Sequence, residues 1–131
     1  MKRVYVDHYF SSDAVIMEEN SRDFPARVKA INSRAEKLVV LLKNHPVVKQ
    51  VYHPSVGSTK PLYEQCKRST GGYGYLLSID FTSAPVARRF YDCLDISRGP
   101  SLGTNFSLAC PFSLFAHFKE LDWVSYCAYS G

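Results

Sequence analysis

The hydrophobic pattern predicts one long amphipathic helix early in the chain. Between residues 24 and 44, apolar positions recur at three- and four-residue spacing, and basic residues occupy the opposite side. Asp23 is placed to cap this helix, Pro25 falls within its first turn, and Asn44-His45-Pro46 ends it. We expect the helix to supply the core through one stripe formed by Phe24, Val28, Ile31, Ala35, Leu38, Val39 and Leu42.

Shorter apolar segments follow, each bounded by residues that favour caps or turns. Before the long helix, the pattern predicts a short helix from Ser11 to near Glu19. After it come a β-branched strand over Val47–Tyr52, a loop over 53–71 with one helical turn at Leu62–Lys67, and a buried strand at Tyr75–Phe81. A helix capped by Thr82 or Ser83 follows, and its apolar face is formed by Val86, Phe90, Cys93 and Leu94.

A tight turn joins this last helix to another apolar alternation. Pro100 fixes one backbone angle and Gly103 supplies freedom at another, and residues 106–110 then alternate as in a half-buried strand that Pro111 stops. Ser101 on such a turn can offer its hydroxyl and a backbone N–H to a small anion. The alternative is that the turn only leads the chain into the strand.

The order of these elements predicts the fold class. Helices and strands alternate within one domain of 131 residues. This favours an α/β fold, a two-layer sandwich in which helices cover one face of a small mixed or antiparallel sheet.

Composition and charge narrow the function classes. A hydrophobic fraction of 46% indicates a folded chain, and a net charge of +4 from scattered basic residues argues against a nucleic-acid partner. There is no C-x-x-C pair, so no metal site is expected, and Cys93 and Cys110 are predicted to be inert core thiols. No apolar run resembles a signal peptide or a membrane span, which predicts a cytoplasmic protein without a membrane partner.

Three other groups were candidates for chemistry. Glu18 and Glu19 could act as an acid and a base, but adjacent helical residues do not face each other and a solvated face is favoured. Gly71-Gly72-Tyr73-Gly74 lacks the Lys-Ser/Thr pair and the following helix of a phosphate loop, and instead predicts a glycine-rich entry into a strand. His117 lies in an apolar stretch, where a satisfied core histidine is favoured over a catalyst.

Several motifs follow one another in a recognisable order: Asn20–Phe24, His45-Pro46-Val47-Val48, Val51-Tyr52-His53-Pro54, Gly71–Gly74, Gly99–Phe106 and Ala116–Trp123. Together they resemble the C-terminal domain of the Cys/Met-metabolism pyridoxal-phosphate enzymes, and most nearly the fungal-type cystathionine γ-synthases. The similarity extends over about residues 10–123.

The resemblance implies a fold-type I transferase or lyase of methionine biosynthesis. In the family a large domain carries pyridoxal phosphate on a lysine, and the C-terminal domain helps bind the amino-acid substrate; the assemblies are dimers or tetramers. It further implies that Ser101, Leu102 and Gly103 bind substrate or cofactor, and that cysteine replaces the γ-substituent of an activated homoserine to give cystathionine. Pro100, where many γ-lyases carry an acidic residue, favours a synthase-like member.

The same resemblance sets expectations about what lies outside the chain. The family's large domain, its cofactor lysine and an Arg-x-Ser-x-Gly-x-Glu segment have no counterpart in residues 1–131. We therefore expect residues 1–131 to be a single C-terminal domain that contains no catalytic residue, does not bind the cofactor by itself and is inactive alone. The alternative is a stand-alone, non-catalytic binding or regulatory module that has kept the fold.

Overall fold

A computed structural model describes residue 6 and residues 8–123, and the chain divides into two compact units at Asp80 and Phe81. Both units combine short strands with helices, which confirms the α/β class. Up to the division, which falls within β2, the elements are α1 (Ser11–Ser21), α2 (Phe24–Lys43), β1 (Val48–Tyr52), α3 (Lys60–Cys66) and β2 (Ser78–Phe81); beyond it they are α4 (Ala84–Cys93), β3 (Ser97–Arg98), β4 (Leu108–Ala109), α5 (Phe112–Ala116) and a 3-10 turn at Phe118–Glu120.

The described strands form two small sheets. β1 pairs with β2, and β3 pairs in parallel with β4. All four strands are short, at most five residues in β1 and two each in β3 and β4. The helices therefore account for most of the regular structure.

Helix α2 forms where the periodicity predicts it. Pro25 lies in its first turn, and the N–H of His45 bonds to the carbonyl of Leu42 at 3.0 Å where the helix ends. Asp23 holds the cap position without a side-chain hydrogen bond to the helix; its carboxylate instead pairs with the Arg27 guanidinium at 3.0 Å. Asp23 thus precedes the helix as predicted, and its side chain makes an ion pair in place of a capping hydrogen bond.

The core of the first unit lies between α2 and β1. Ala35, Val39 and Leu42 are buried on α2, and Val51 is buried on β1. The expected seven-residue stripe is wrong at Leu38 and Phe24, whose exposed fractions are 45% and 59%. Each residue advances about 100° around a helix, so Leu38 points about 100° away from Val39 and lies outside the buried face that packs on β1.

The strands are shorter than the apolar alternation predicted. β2 begins at Ser78, because Tyr75 and Leu76 are exposed, and Phe106 likewise lies outside β4. α3 is longer than the single turn expected, since Pro61 sits in its first turn and starts it at Lys60.

The thiols differ from expectation in one respect. Cys110 is half-buried, but Cys93 is exposed, which corrects its assignment to the core. It ends α4, whose half-buried Phe90 packs on Phe81 with ring centroids 4.8 Å apart. Cys127 lies outside the described residues.

None of the helices in the described part of the chain combines the length and apolar character needed to cross a bilayer.

Candidate functional site

The turn that carries Ser101 is the connection between β3 and β4. Ser97 pairs with Leu108 and Arg98 with Ala109, and the N–H of Gly99 donates to the carbonyl of Ala109 at 3.1 Å. Parallel strands usually need a long crossover. These strands are two residues long, so residues 99–107 suffice to bring the chain back.

Backbone freedom is needed at the start of this turn, at Gly99. Its φ is +153°, a region that residues with a side chain rarely adopt. The expectation assigned this role to Gly103, which is wrong. Gly103 has no positive φ, and a Cβ added there would meet nothing within 4 Å.

The predicted site residues lie together at the exposed tip of the turn. The N–H of Gly103 donates to the Ser101 hydroxyl oxygen at 3.3 Å, and Ser101, Leu102 and Gly103 are all exposed. Because the oxygen is the acceptor in this contact, the hydroxyl hydrogen can be given to another group. The Thr104 hydroxyl donates to the carbonyl of Phe106 at 2.9 Å, which stabilises the return of the chain.

The donors of this tip are all neutral. Residues 99–107 include no charged side chain. A neutral hydroxyl donor such as that of Ser101 suits a small carboxylate, which accepts several hydrogen bonds at once.

Arg98, at the base of the turn, was not anticipated from the sequence. Its guanidinium donates to the carbonyls of Tyr91 at 3.4 Å and Asp92 at 3.1 Å, and lies 5.1 Å from the Tyr91 ring centroid. A cation that caps the last carbonyls of a helix stabilises that end. Arg98 therefore anchors β3 to the end of α4 through Nη2.

The remaining candidates have structural partners. Glu18 forms an exposed ion pair with Arg22 at 2.8 Å, as expected of a solvated face. His117 is not a core residue: it is half-exposed, and its Nδ1 lies 3.1 Å from a carboxylate oxygen of Glu120. Among residues 8–123, His, Cys, Asp and Glu side chains form no cluster of three that could hold a metal ion.

The buried histidine is His53, which the sequence placed at the end of a strand without a role. Its exposed fraction is 5%, and its Nδ1 lies 2.8 Å from the Ser55 hydroxyl. The sequence feature that could have indicated its burial is its position directly after the apolar strand β1.

Two tyrosines have perturbed acidities. The Tyr52 hydroxyl donates to the Asp80 carboxylate at 2.9 Å, and this bond raises the pKa of Tyr52. The Tyr73 hydroxyl donates to Glu64, which raises the pKa of Tyr73 and lowers the pKa of Glu64. Both pairs stabilise a neutral phenol beside an ionised carboxylate.

Comparison with known proteins assigns the chain to a family. The family model for Cys/Met metabolism PLP-dependent enzymes matches residues 11–119. The chain is 44% identical over 117 residues to the cystathionine γ-synthase of Neurospora crassa, and this alignment covers 89% of this chain and 19% of that protein. It is 46% identical over 121 residues to the cystathionine γ-synthase-like protein ankD of Aspergillus thermomutatus, and this alignment covers 92% of this chain and 22% of that protein.

A solved structure shares the fold. The crystal structure of a cystathionine γ-synthase from Xanthomonas oryzae pv. oryzae, in complex with aminoacrylate and cysteine, matches with a TM-score of 0.67 at 24% identity. The match covers 84% of this chain and 29% of that one. This chain spans about a fifth of the length of the curated relatives it matches, and it belongs to the Cys/Met metabolism family of PLP-dependent enzymes.

Proposed function

We propose that residues 1–131 act as the C-terminal domain of a PLP-dependent transsulfuration enzyme that joins cysteine to an activated homoserine. The similarity to two fungal relatives described as cystathionine γ-synthase and cystathionine γ-synthase-like, each over about nine-tenths of this chain, supports this reaction class. Since the chain spans about a fifth of those proteins, the activity belongs to the larger whole that also holds the cofactor.

The observation that carries the proposal is the open tip at Ser101. The turn is fixed at its base by the Gly99–Ala109 hydrogen bond, whereas Ser101 is exposed and its hydroxyl hydrogen can be donated to a ligand. In this proposal the Ser101 hydroxyl binds the carboxylate of the amino-acid substrate. One hydrogen bond to a charged group contributes about 1.5–3 kcal/mol, so this contact orients the substrate without dominating its affinity.

The turn fits a substrate carboxylate better than it fits the cofactor. Pyridoxal phosphate acts as an electron sink and needs a lysine and a set of phosphate donors. Residues 99–107 contain no lysine or arginine, and Nη2 of the neighbouring Arg98 bonds to carbonyls at the end of α4. The role assigned to this domain is therefore to bind and orient the amino acid while the cofactor is held elsewhere.

Domain replacement tests the proposal. The segment of the Neurospora crassa enzyme that aligns with residues 11–119 is exchanged for these residues, and cystathionine formation from cysteine and an activated homoserine is followed. We expect the chimera to retain activity within about tenfold of the parent, because 44% identity conserves the packing that a shared fold requires.

The isolated chain is the matched control. We expect it to show no cystathionine synthesis and to retain no cofactor after dialysis. A folded but inactive chimera contradicts the proposal and favours a non-catalytic binding module; activity of residues 1–131 alone contradicts the expectation that the domain depends on the rest of the enzyme.

A further inference from the structure

Gly74 is held on both sides by side chains distant in sequence. Its N–H donates to Asn32 Oδ1 on α2 at 2.9 Å, and its carbonyl lies 3.4 Å from His53 Nε2. Its φ of +84° is in the left-handed region, where glycine is favoured. We call Asn32, His53 and Gly74 the polar clasp.

The orientation of His53 follows from its other nitrogen. The backbone N–H of Ser55 donates to Nδ1 at 3.2 Å, so Nδ1 is an acceptor. This assigns the hydrogen of the neutral ring to Nε2, which then donates to the Gly74 carbonyl. The turn after β1 thus sets the tautomer that completes the clasp.

Close packing reinforces this contact at Gly72. A Cβ built on Gly72 would lie 2.3 Å from Cγ of Asn32, much too close for any side chain. The backbone of Gly72 therefore rests directly against the Asn32 amide. Asn32 both bonds to Gly74 and forms the surface on which the preceding residues lie.

Helix α3 and the residue that follows it contact the same segment. The Tyr63 hydroxyl donates to the Gly72 carbonyl at 3.4 Å, and Lys67 Nζ donates to the Gly71 carbonyl at 3.2 Å. The Tyr73 ring stacks on Tyr63 with centroids 5.6 Å apart. Residues 71–74 are therefore tied to α3 and are joined to α2 and β1 through the clasp.

Helix α3 itself contributes no buried side chain, unlike α2. The contacts that join α3 to residues 71–74 are therefore hydrogen bonds and the Tyr63–Tyr73 ring contact, and no buried side chain of α3 takes part in them. Segments with few buried apolar groups open locally at a free energy below that of global unfolding.

We propose that the polar clasp is a latch. Residues 59–74 open and close as one local unit, and the contacts of Asn32 and His53 with Gly74 set the balance between the two states. The core of α2 and β1 stays folded in both. When the latch is closed, the chain is aligned to enter β2 at Ser78.

Residue-resolved amide hydrogen exchange on the full 131-residue chain tests the latch. Asn32→Leu removes the acceptor for the Gly74 N–H. We expect exchange at Gly74 and in α3 to accelerate by about tenfold, the effect of losing one hydrogen bond, while residues 35–42 of α2 keep their rates.

Two further variants separate a latch from a general stabilising role. Asn32→Asp keeps the acceptor oxygen and should preserve protection at Gly74, whereas Ser33→Ala, at the exposed neighbouring position, should change nothing. Unchanged exchange at Gly74 in Asn32→Leu overturns the proposal. So does a wild-type chain without protection at Gly74, or an equal acceleration in α2 and α3, which would report global unfolding.

Discussion

The α2–β1 core and the Ser101 turn are ordered by different forces. In the core, Val39 is only 1% exposed and packs among apolar neighbours, so burial fixes its position. In the turn, residues 100–103 are all exposed, and short-range hydrogen bonds with one glycine conformation hold the backbone. A loop can therefore keep a defined backbone conformation without buried side chains of its own.

This contrast extends to the two units. Every buried residue among the described residues belongs to the first unit, namely Ala35, Val39, Leu42, Val51 and His53. We therefore expect substitutions of these buried residues to act on stability, and substitution of the exposed Ser101 side chain to act on ligand binding.

The strongest test of the core is Leu42→Ala. Removing a buried leucine side chain costs about 2–5 kcal/mol of unfolding free energy, because burial is lost and a cavity remains. Denaturant titration measures the change. Leu41→Ala is the matched control, since Leu41 is 70% exposed and should change stability by less than about 0.5 kcal/mol. Equal losses of stability at the two positions would contradict the assignment of Leu42 to the buried face of α2 and of Leu41 to its exposed face.

Two glycines in the turn provide the next test. Gly99→Ala forces a side chain into a positive φ and should destabilise the second unit by about 1–3 kcal/mol. Gly103→Ala meets open space and should change stability by no more than about 0.5 kcal/mol. Thermal unfolding of both variants checks this order, and a larger loss at Gly103 would restore the role that the sequence suggested for it.

The smallest effect concerns alkaline pH. The bond to Asp80 raises the pKa of Tyr52 above its unfolded value of about 10. Its contribution to stability is fully present below that unfolded pKa and is lost as pH rises through the folded one. The contribution is small because Tyr52 is 53% exposed.

Tyr52→Phe should therefore flatten the stability profile above about pH 10, the range in which a phenol ionises. Parallel denaturant titrations of both proteins at several alkaline pH values give the comparison. Leu41→Ala, at an exposed position that carries no titratable group, should leave the slope of the profile unchanged. An unaltered slope in Tyr52→Phe would show that the Asp80 contact does not persist in solution.

The sequence predicts the structure best where the apolar residues follow one helical period throughout. The helix over residues 24–44 was predicted almost to its ends, since caps and spacing agree, and the family resemblance is confirmed by a match over residues 11–119. The prediction failed at Leu38, because an apolar residue beside the buried face looks like a member of it. The strand at 75–81 was also overextended, since alternation alone does not specify a pairing partner.

Contacts between distant residues could not be predicted at all. Asn32 meets Gly74 across 42 positions, and nothing local to either residue signals the contact. Likewise, only the observed backbone angles show that Gly99 and not Gly103 carries the unusual conformation. The order of Ser101, Leu102 and Gly103 along one exposed turn was predictable, because Gly and Pro mark turns directly in sequence.

Binding of the substrate carboxylate by the Ser101 hydroxyl, as proposed, is tested most directly by kcat/KM of the active chimera carrying Ser101→Ala. Loss of one hydrogen bond to a charged group predicts a decrease of about tenfold to a hundredfold at unchanged melting temperature. Ser113→Ala, an exposed serine on α5, should retain full kcat/KM. Full activity in Ser101→Ala, or unfolding of that variant, would contradict the account and leave Ser101 as a residue that only shapes the turn.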